Sequence, residues 1–257
     1  MMKSNTAGRF GDPLSLEALI EAALAEDLGP GDVTSEWTVP SGAAGQAVIL
    51  SKASGVVAGV AAAAAVFRRF DSDLQVGPDC GEGDGVEPGD LVLTVSGSLA
   101  SILGAERTAL NFLGRLSGIA TSARRFADAI EGTDCRVLDT RKTTPGWRAL
   151  EKRAAAAGGA VNHRTGLYDM VLIKENHIRA AGGIRAALDG ALGPAHEVRI
   201  EVEIEVSGFG ELELALAGTA RGERPQRILL DNMTMEELER CVRRVSGAEG
   251  PRPKLEA

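Results

Sequence analysis

The sequence predicts an α/β protein in two parts, a small α+β region followed by a larger region of alternating helices and strands. The first part of the chain mixes amphipathic helices with short strands, whereas beyond Ser117 helical and apolar strand segments alternate. Strands that alternate with helices pair in parallel through crossover connections. We therefore expect an N-terminal α+β domain at residues 1–116 and an α/β domain at residues 117–257.

The elements of the first region follow from apolar spacing and turn residues. Residues 13–28 carry apolar side chains at helical spacing and end at a GPGD run, which predicts a helix after a short disordered lead. The runs QAVILS and GVVAGV predict short strands, and an alanine-rich helix is expected over Val60–Phe70. An EPGD turn precedes the strand LVLTV.

The second region begins after a long helix predicted over residues 99–116, which carries Arg107. The expected strands beyond it are RVLD, MVLIK, RIEVEIEV and RILLD, with PKLEA beginning another. Helical segments are expected near residues 146–157, 180–191, 209–217 and 234–245. Four polar residues come at or just after strand ends: Arg141, Lys142, Lys174 and Asp231. In barrels built this way, the carboxyl ends of the strands carry the chemistry.

The run RIEVEIEV alternates strictly. Successive strand residues point to opposite faces, so the valines and isoleucine share one face and Glu201, Glu203 and Glu205 share the other. On an exposed sheet the acidic face would be solvated, whereas in a barrel covered by helices it would point inward. The pattern by itself leaves both interpretations open.

Charge is distributed unevenly along the chain. Residues 139–179 hold eight Lys/Arg against four Asp/Glu, a balance of +4 in a chain of net charge −8, so the remainder sums to −12. A small, multiply charged anion suits such a cationic island, and the overall charge argues against nucleic acid and against an anionic membrane. No apolar run approaches a membrane span, and the three scattered cysteines are expected to be reduced structural thiols. The expected compartment is the cytoplasm, because the first residues lack an apolar signal core.

Three motifs carry a family resemblance. DTRKTTPG, GGAVNHRTGLYD and LIKENHI, in this order and with these gaps, resemble quinolinate phosphoribosyltransferase, and EDLGPGDVTS and ERTALNFLGRLSGIAT add to the match. The resemblance implies an incomplete six-stranded α/β barrel of the type II phosphoribosyltransferase kind beside a smaller N-terminal domain. It also implies an enzyme that joins quinolinate to the ribose of phosphoribosyl pyrophosphate (PRPP), releases pyrophosphate and CO2, and yields nicotinate mononucleotide for NAD biosynthesis.

The resemblance also implies roles for individual residues. Arg141, Arg164 and His163 would bind quinolinate, together with Arg107 donated across the interface of a homodimer or larger homo-oligomer. Planar guanidiniums suit the two carboxylates of this substrate, because they bind carboxylates through two parallel hydrogen bonds.

The remaining expected site residues surround the reacting ribose. Lys142 and Lys174 would neutralise the departing pyrophosphate, with Thr140 beside them. Glu203, with Glu205 as second choice, and Asp231 would stabilise the cation-like ribosyl centre, bind its hydroxyls or hold Mg²⁺ that enters with PRPP. No organic cofactor is expected, because the pyridinium itself can accept the electrons of decarboxylation.

The chain departs from the family pattern at its end. Family members continue past PKLEA with a Gly-rich loop that cradles phosphate, so the barrel is expected to be truncated at its C-terminus here. The segment GTARGERPQ is expected to be a surface loop.

Several alternatives remain open. The chain could be a paralogue of the molybdate-uptake-linked type, an inactive truncated barrel subunit, or an aldolase-like barrel with a Schiff base at Lys174. Several residues could instead have purely structural roles. Arg148, Lys152 and Arg153 would be the solvated face of their helix, His177 a loop-packing residue, and Trp147 and Tyr168 packing residues.

Overall fold

The computed structural model describes residues 14–219, 222–248 and 250–257, and its internal contacts divide the chain into two compact units that meet between His163 and Arg164 in sequence. The expectations for residues 1–13 and for residues 220–221 of the predicted surface loop lie outside the described residues. Within the described residues, no helix combines the length and apolarity needed to cross a membrane.

The first unit contains five helices and five short strands among its described residues. The helices are α1 (Leu16–Leu28), α2 (Val33–Thr38), α3 (Val60–Phe70), α4 (Leu99–Ala129) and α5 (Arg148–Ala157). The strands are β1 (Ala44–Leu50), β2 (Gly55–Val56), β3 (Gln75–Pro78), β4 (Gly85–Val86) and β5 (Leu91–Ser98). Antiparallel pairing gives a sheet of order β1-β5-β3 and a separate β2-β4 pair.

The N-terminal predictions are largely confirmed. Ser15 caps α1 by accepting a hydrogen bond from the Ala18 N–H at 3.2 Å, and α3 has the predicted bounds. The run GVVAGV forms only the two-residue strand β2, because Gly59 adopts a φ of +88° and the next helix begins at Val60. Helix α4 runs thirteen residues past the predicted end, since Ala120 and Ala123 continue its buried face.

The core of the first unit forms where α4 packs against α3 and α5. Phe67 and Phe112 are almost completely buried, and Trp147 stacks on Phe112 with ring centroids 4.6 Å apart. The packing role predicted for Trp147 is therefore confirmed. Gly158, which follows α5, lies so close to α4 that a Cβ there would be 2.1 Å from the Ala120 carbonyl oxygen.

The predicted strand RVLD is wrong. Only Leu138 makes a bridge, an isolated parallel one to Val161, and Cys135 and Arg136 before it are exposed. Two backbone hydrogen bonds form this bridge, from the Val161 N–H to Val137 and from the Asp139 N–H to Val161. Because the apolar side chains of this run are only partly buried, a longer strand here would bury little apolar area and gain little stability. Exposure of Cys135 also contradicts a structural role for that thiol, while Cys241 is buried and all three cysteines are free.

The second unit is a layer of helices on a parallel sheet. Its helices are α6 (Glu175–Ala181), α7 (Ile184–Val198), α8 (Phe209–Ala217) and α9 (Met235–Ser246). Its strands are β6 (Val171–Ile173), β7 (Val202–Val206), β8 (Arg227–Leu230) and β9 (Lys254–Glu256). The order is β6-β7-β8-β9 with every pair parallel, which confirms the predicted parallel pairing. The single helix predicted near residues 180–191 is two helices, separated at Gly182-Gly183.

The two faces of this sheet differ sharply. One face belongs to the apolar core of the unit, in which Val202, Ile204 and Ile228 pack with Leu188 of α7 and Leu212 of α8. Each of these five side chains is fully buried, and each such burial stabilises the fold by about 1.5–3 kcal/mol. The glutamates of β7 alternate with this apolar row and lie on the face away from the helices.

Candidate active site

In the first unit, the carboxylate of Asp139 connects two of the predicted motifs. It forms an ion pair with the ammonium of Lys152 and accepts the His163 backbone N–H at 2.8 Å. Its second oxygen accepts the Asn162 side-chain amide at 2.6 Å, and that amide also donates to the Lys152 carbonyl at 2.9 Å. The DTRK and NHR segments therefore meet at one buried carboxylate.

A second ion pair, in which Glu151 is buried and Arg115 is half-exposed, supports the other end of the same loop. Glu151 accepts hydrogen bonds from Arg115 Nε at 3.0 Å and from the Thr144 backbone N–H at 3.1 Å. Burial raises the pKa of Glu151, but the hydrogen bonds from Arg115 and Thr144 and the charge of Arg115 outweigh it, so the pKa lies below its ordinary value. Glu151 is therefore ionised at neutral pH.

The loop between these two anchors carries three of the predicted site residues. Lys142 is exposed, and its backbone N–H donates to the Thr140 hydroxyl at 3.1 Å. Arg141 is half-buried, and its Nε is buried without a hydrogen bond to any described residue. The structure thus brings Thr140, Arg141, Lys142 and the backbone of His163 around Asp139. Arg107 is an exposed residue of α4.

In the second unit, Lys174 and Glu205 face each other at the carboxyl ends of β6 and β7. The Lys174 ammonium lies 2.9 Å from Glu205 Oε2, with side chains 49% and 18% exposed. Strand register explains the pairing, because Ile173 is level with Ile204 and the next residue of each strand then points to the polar face. The cation is half-exposed and therefore accessible to an anion.

Glu203 is completely buried on the same polar face. It is level with Leu172 of β6 and with Arg227 of β8. Arg227 pairs with Glu201 at 2.7 Å and with Glu256 at 2.8 Å. The hydrogen bond from Arg227 lowers the pKa of Glu201, and burial does not reverse that effect.

Asp231 follows β8 directly. Its backbone N–H donates to the Val206 carbonyl at 3.0 Å, so the parallel register continues to this residue. Its carboxylate accepts the Asn232 amide at 2.6 Å, and Asn232 adopts a φ of +54°. Asp231 lies four residues beyond the position level with Glu203, a separation of about 13 Å along the strand.

Arg164 opens the second unit. Its guanidinium donates to the Met170 carbonyl at 3.3 Å. The following turn is closed by Asp169, which accepts the Thr165 and Gly166 backbone N–H groups at 2.7 and 3.0 Å. Burial raises the pKa of Asp169, but these backbone hydrogen bonds outweigh it and hold the pKa below its ordinary value. The packing role predicted for Tyr168 is wrong, since its side chain is 70% exposed.

The purely structural roles predicted for several residues are confirmed for some and wrong for others. His177 accepts the Lys174 backbone N–H at 3.0 Å at the start of α6, which supports the local structural role predicted for it. The prediction that Lys152 is solvated is wrong, because this residue is 5% exposed and pairs with Asp139. Arg153 is exposed as predicted, and half-buried Arg148 donates to the Thr143 hydroxyl at 3.1 Å.

Sequence reasoning missed the residues that hold the loop, namely Asp139, Glu151, Lys152, Arg115 and Asn162. One signal was available for Glu151. Together with Ala154, Ala155 and Gly158 it follows the i, i+3, i+4, i+7 spacing of a buried helical face. No comparable periodicity identifies Asp139 or Asn162, whose partners are set by the loop conformation.

Both parts of the chain match known family profiles. Residues 32–117 match the quinolinate phosphoribosyl transferase N-terminal domain, and residues 119–257 match the C-terminal domain of the same family. The chain belongs to the quinolinate phosphoribosyl transferase family, a family of phosphoribosyltransferases, and the predicted membership is confirmed.

Individual relatives agree with this assignment. A probable carboxylating nicotinate-nucleotide pyrophosphorylase of Synechocystis sp. is 38% identical over 94% of this chain and 79% of its own length. The chloroplastic carboxylating enzyme of Arabidopsis thaliana is 43% identical over 86% of this chain, which spans only 64% of that protein. The structure of nicotinate-nucleotide pyrophosphorylase from Francisella tularensis aligns with a TM-score of 0.83 at 32% identity, covering 93% of this chain and 81% of the other. These matches confirm the α/β class with an N-terminal domain.

Proposed function

We propose that this chain transfers the phosphoribosyl group of PRPP to quinolinate and releases pyrophosphate and CO2, giving nicotinate mononucleotide for NAD biosynthesis. The observation that carries the proposal is the match of both family domains over the segments that hold every site residue named above. The relatives' names describe the same reaction class.

The reaction balances without an oxidant or a reductant. The pyridine nitrogen forms a bond to the ribosyl carbon as the bond to pyrophosphate breaks, and pyrophosphate leaves with the electron pair. The ring then carries a positive charge, which accepts the electrons of the carbon–carbon bond when CO2 leaves. A proton from solvent replaces the lost carboxylate.

The exposed loop of the first unit supplies positive charge for two anions. Arg141 would bind a quinolinate carboxylate through its guanidinium, which is half-buried and whose buried Nε makes no hydrogen bond to a described residue. Lys142 would neutralise charge on the departing pyrophosphate. His163 and Arg164 follow in the next motif and would contact quinolinate, as the family resemblance implies.

The strand ends of the second unit supply both signs of charge. Lys174 would bind phosphate oxygens, and its pairing with Glu205 keeps it on the polar face before substrate arrives. Glu203 would stabilise the cation-like ribosyl centre, where a buried carboxylate is more effective than a solvated one. Asp231 would accept hydrogen bonds from ribose hydroxyls.

Mg²⁺ would enter with PRPP and supply charge neutralisation on its phosphates. Carboxylates such as Glu203 and Asp231 are suitable oxygen donors for this ion. However, the strand register separates the two residues by about 13 Å, whereas direct ligands of one Mg²⁺ lie at about 2.1 Å from it. We therefore propose that they do not directly ligate the same ion.

The oligomeric part of the proposal concerns Arg107. Its side chain is exposed on α4, so it is available to a second subunit of a homodimer or larger homo-oligomer. Mixing inactive Arg107→Ala and Arg141→Ala subunits would then restore about one quarter of wild-type activity, because half of the dimers are mixed and each mixed dimer has one intact site. Failure of any mixture to regain activity would remove the shared-site proposal.

The finer architecture is also a proposal. The sequential parallel order β6-β7-β8-β9 is that of a winding barrel, which supports the incomplete six-stranded barrel. A domain boundary at residues 116/117 is supported by family profiles that end at 117 and begin at 119, and it would fall inside α4. A cytoplasmic location stays a prediction from the sequence.

Product analysis tests the reaction. Wild-type protein incubated with quinolinate, PRPP and Mg²⁺ is expected to form nicotinate mononucleotide, and Arg141→Ala is expected to form it at a rate lower by about two orders of magnitude. Nicotinate offered in place of quinolinate serves as the control, since it lacks the second carboxylate. Absence of nicotinate mononucleotide from a folded, PRPP-binding wild type would overturn the proposal and favour the paralogous type.

A further inference from the structure

Helix α5 carries two adjacent buried charges of opposite sign. Glu151 is 7% exposed and Lys152 is 5% exposed, although they are neighbours on the helix. Adjacent helical residues point about 100° apart, so burying both requires partners on two sides of the helix. An isolated buried charge is strongly unfavourable, and each of these two is paired.

The two charges reach opposite ends of one loop. Lys152 pairs with Asp139, where the loop begins, and Glu151 accepts the Thr144 backbone N–H, where the loop ends. Residues 140–143 between these points include Thr140, Arg141 and Lys142. Arg115 of α4 also binds Glu151, which connects this arrangement to the longest helix of the unit.

The Asp139 end also fixes the second motif. The same carboxylate oxygen that binds Lys152 accepts the His163 backbone N–H at 2.8 Å, and its other oxygen accepts Asn162 at 2.6 Å. One carboxylate therefore sets the position of the cationic loop relative to the backbone of His163. Lys152 compensates the negative charge that Asp139 would otherwise place next to a site for anions.

We propose that Lys152 and Asp139 are positioning residues for substrate binding, and that with Glu151 they clamp residues 139–144 in the conformation that binds substrate anions. This inference rests on the proposed function for its substrates. None of the three residues needs to touch substrate. Their effect passes through Arg141 and Lys142, because a cation displaced by about 1 Å can lower the rate by about 10²-fold.

The test compares three clamp variants with a control. The clamp variants are Lys152→Met, Asp139→Asn and the double variant that carries both changes. The control is Glu82→Gln, since Glu82 caps α3 by accepting the Gly59 and Ala61 backbone N–H groups at 2.7 and 3.1 Å, outside residues 139–144. All four are assayed below their unfolding temperatures for KM and kcat with quinolinate and PRPP.

Each mechanism predicts a different kinetic pattern. A protein that is only less stable has fewer active molecules, so kcat falls while KM is unchanged, and this is expected for Glu82→Gln. In a folded single variant, Lys152→Met or Asp139→Asn, KM for both substrates is expected to rise by about tenfold or more. The double variant buries no unpaired charge and is expected to have KM values closer to wild type than either single variant.

Amide hydrogen exchange gives a second measurement that does not depend on turnover. Residues 140–144 are expected to exchange faster in Lys152→Met than in Glu82→Gln. Unchanged KM values together with equal exchange at these residues would overturn the clamp. If the wild type forms no nicotinate mononucleotide, the proposed function fails and the exchange comparison alone decides the clamp. If a single variant does not fold, exchange in the double variant decides it: faster exchange at residues 140–144 than in Glu82→Gln supports the clamp, and exchange equal to that control overturns it.

Discussion

The loop at residues 139–144 and strand β7 both position charged side chains, but they do so by different means. On β7, parallel pairing with β6 and β8 directs Glu203 and Glu205 to one face, and the core residues between them fix the register. Among the described residues, the loop has no strand pairing beyond the Leu138–Val161 bridge at its start, so an ion pair and a hydrogen bond from α5 hold it. A strand positions side chains through its backbone, whereas the loop depends on particular buried side chains.

This difference has an energetic consequence. Register is supported by many hydrogen bonds and a continuous apolar layer, so one substitution on the polar face of β7 leaves the backbone in place. The loop has two anchors, at Asp139 and Thr144, and losing either partner of the Lys152–Asp139 pair leaves a buried charge unpaired. Substitutions on the strand should therefore change chemistry, and substitutions around the loop should change binding and stability as well.

The largest effect is expected at the loop itself. Lys142→Ala should lower kcat/KM by about 10²–10³-fold, because we propose that this exposed ammonium neutralises the departing pyrophosphate. Arg243→Ala is a matched control, since the Arg243 side chain is 72% exposed and pairs within α9, with Glu239. Equal activities of the two variants would show that the loop is not part of the site.

The next largest effect is expected where α5, the helix that holds the loop, packs against α4. Gly158→Ala should lower the free energy of unfolding by about 1–3 kcal/mol, because the new Cβ would overlap the Ala120 carbonyl and push α5 from α4. Gly118→Ala, on α4 with open space around it, should instead raise stability by about 0.5–1 kcal/mol. Chemical denaturation measures both, and a neutral Gly158→Ala would contradict the close contact.

Glu201, just before β7, and Glu203, within it, allow the effects of an exposed and a buried carboxylate to be compared. Glu203→Gln should lower kcat/KM by about tenfold or more while leaving the fold intact, because it removes a buried negative charge without removing volume. Glu201→Gln should have little effect on activity, since this carboxylate serves Arg227 at the partly exposed edge. Steady-state kinetics measures kcat/KM for both variants. Equal losses of kcat/KM would mean that burial of Glu203 does not distinguish its role from that of Glu201.

The smallest expected effect concerns pH. Because the pKa of folded Glu151 lies below its ordinary value, its ionised pairing stabilises the fold above the unfolded pKa of about 4.3 and is lost as pH falls through the folded pKa. Glu151→Gln should cost about 1 kcal/mol at neutral pH, a modest amount because Arg115 is half-exposed. Denaturation at neutral and acidic pH should show this difference disappearing on the acid side. A difference that grows toward low pH would contradict the pairing.

Sequence reasoning succeeded where structure follows a period. The alternation around Glu203 predicted the two faces of β7, and spacing predicted the bounds of α3. It failed for RVLD, where apolar composition predicted a strand but only Leu138 pairs. Four consecutive residues cannot report whether a partner strand exists beside them.

The candidate site, like the fold, was predictable only in part. Family motifs pointed to Arg141, Lys142 and Lys174, yet they gave no reason to expect Lys152 to be buried. Its partner Asp139 is thirteen residues away in sequence, and a charge on an alanine-rich helix ordinarily indicates a solvated face. Burial of such a residue follows from the loop conformation, which local patterns do not encode.

One measurement tests the central claim most directly. Quinolinate labelled in the carboxylate next to the ring nitrogen should release labelled CO2 only when PRPP is present, in a one-to-one ratio with pyrophosphate. This stoichiometry is predicted because decarboxylation requires the positively charged ring that ribosyl transfer creates. Pyrophosphate release without labelled CO2, or CO2 release without PRPP, would contradict the account.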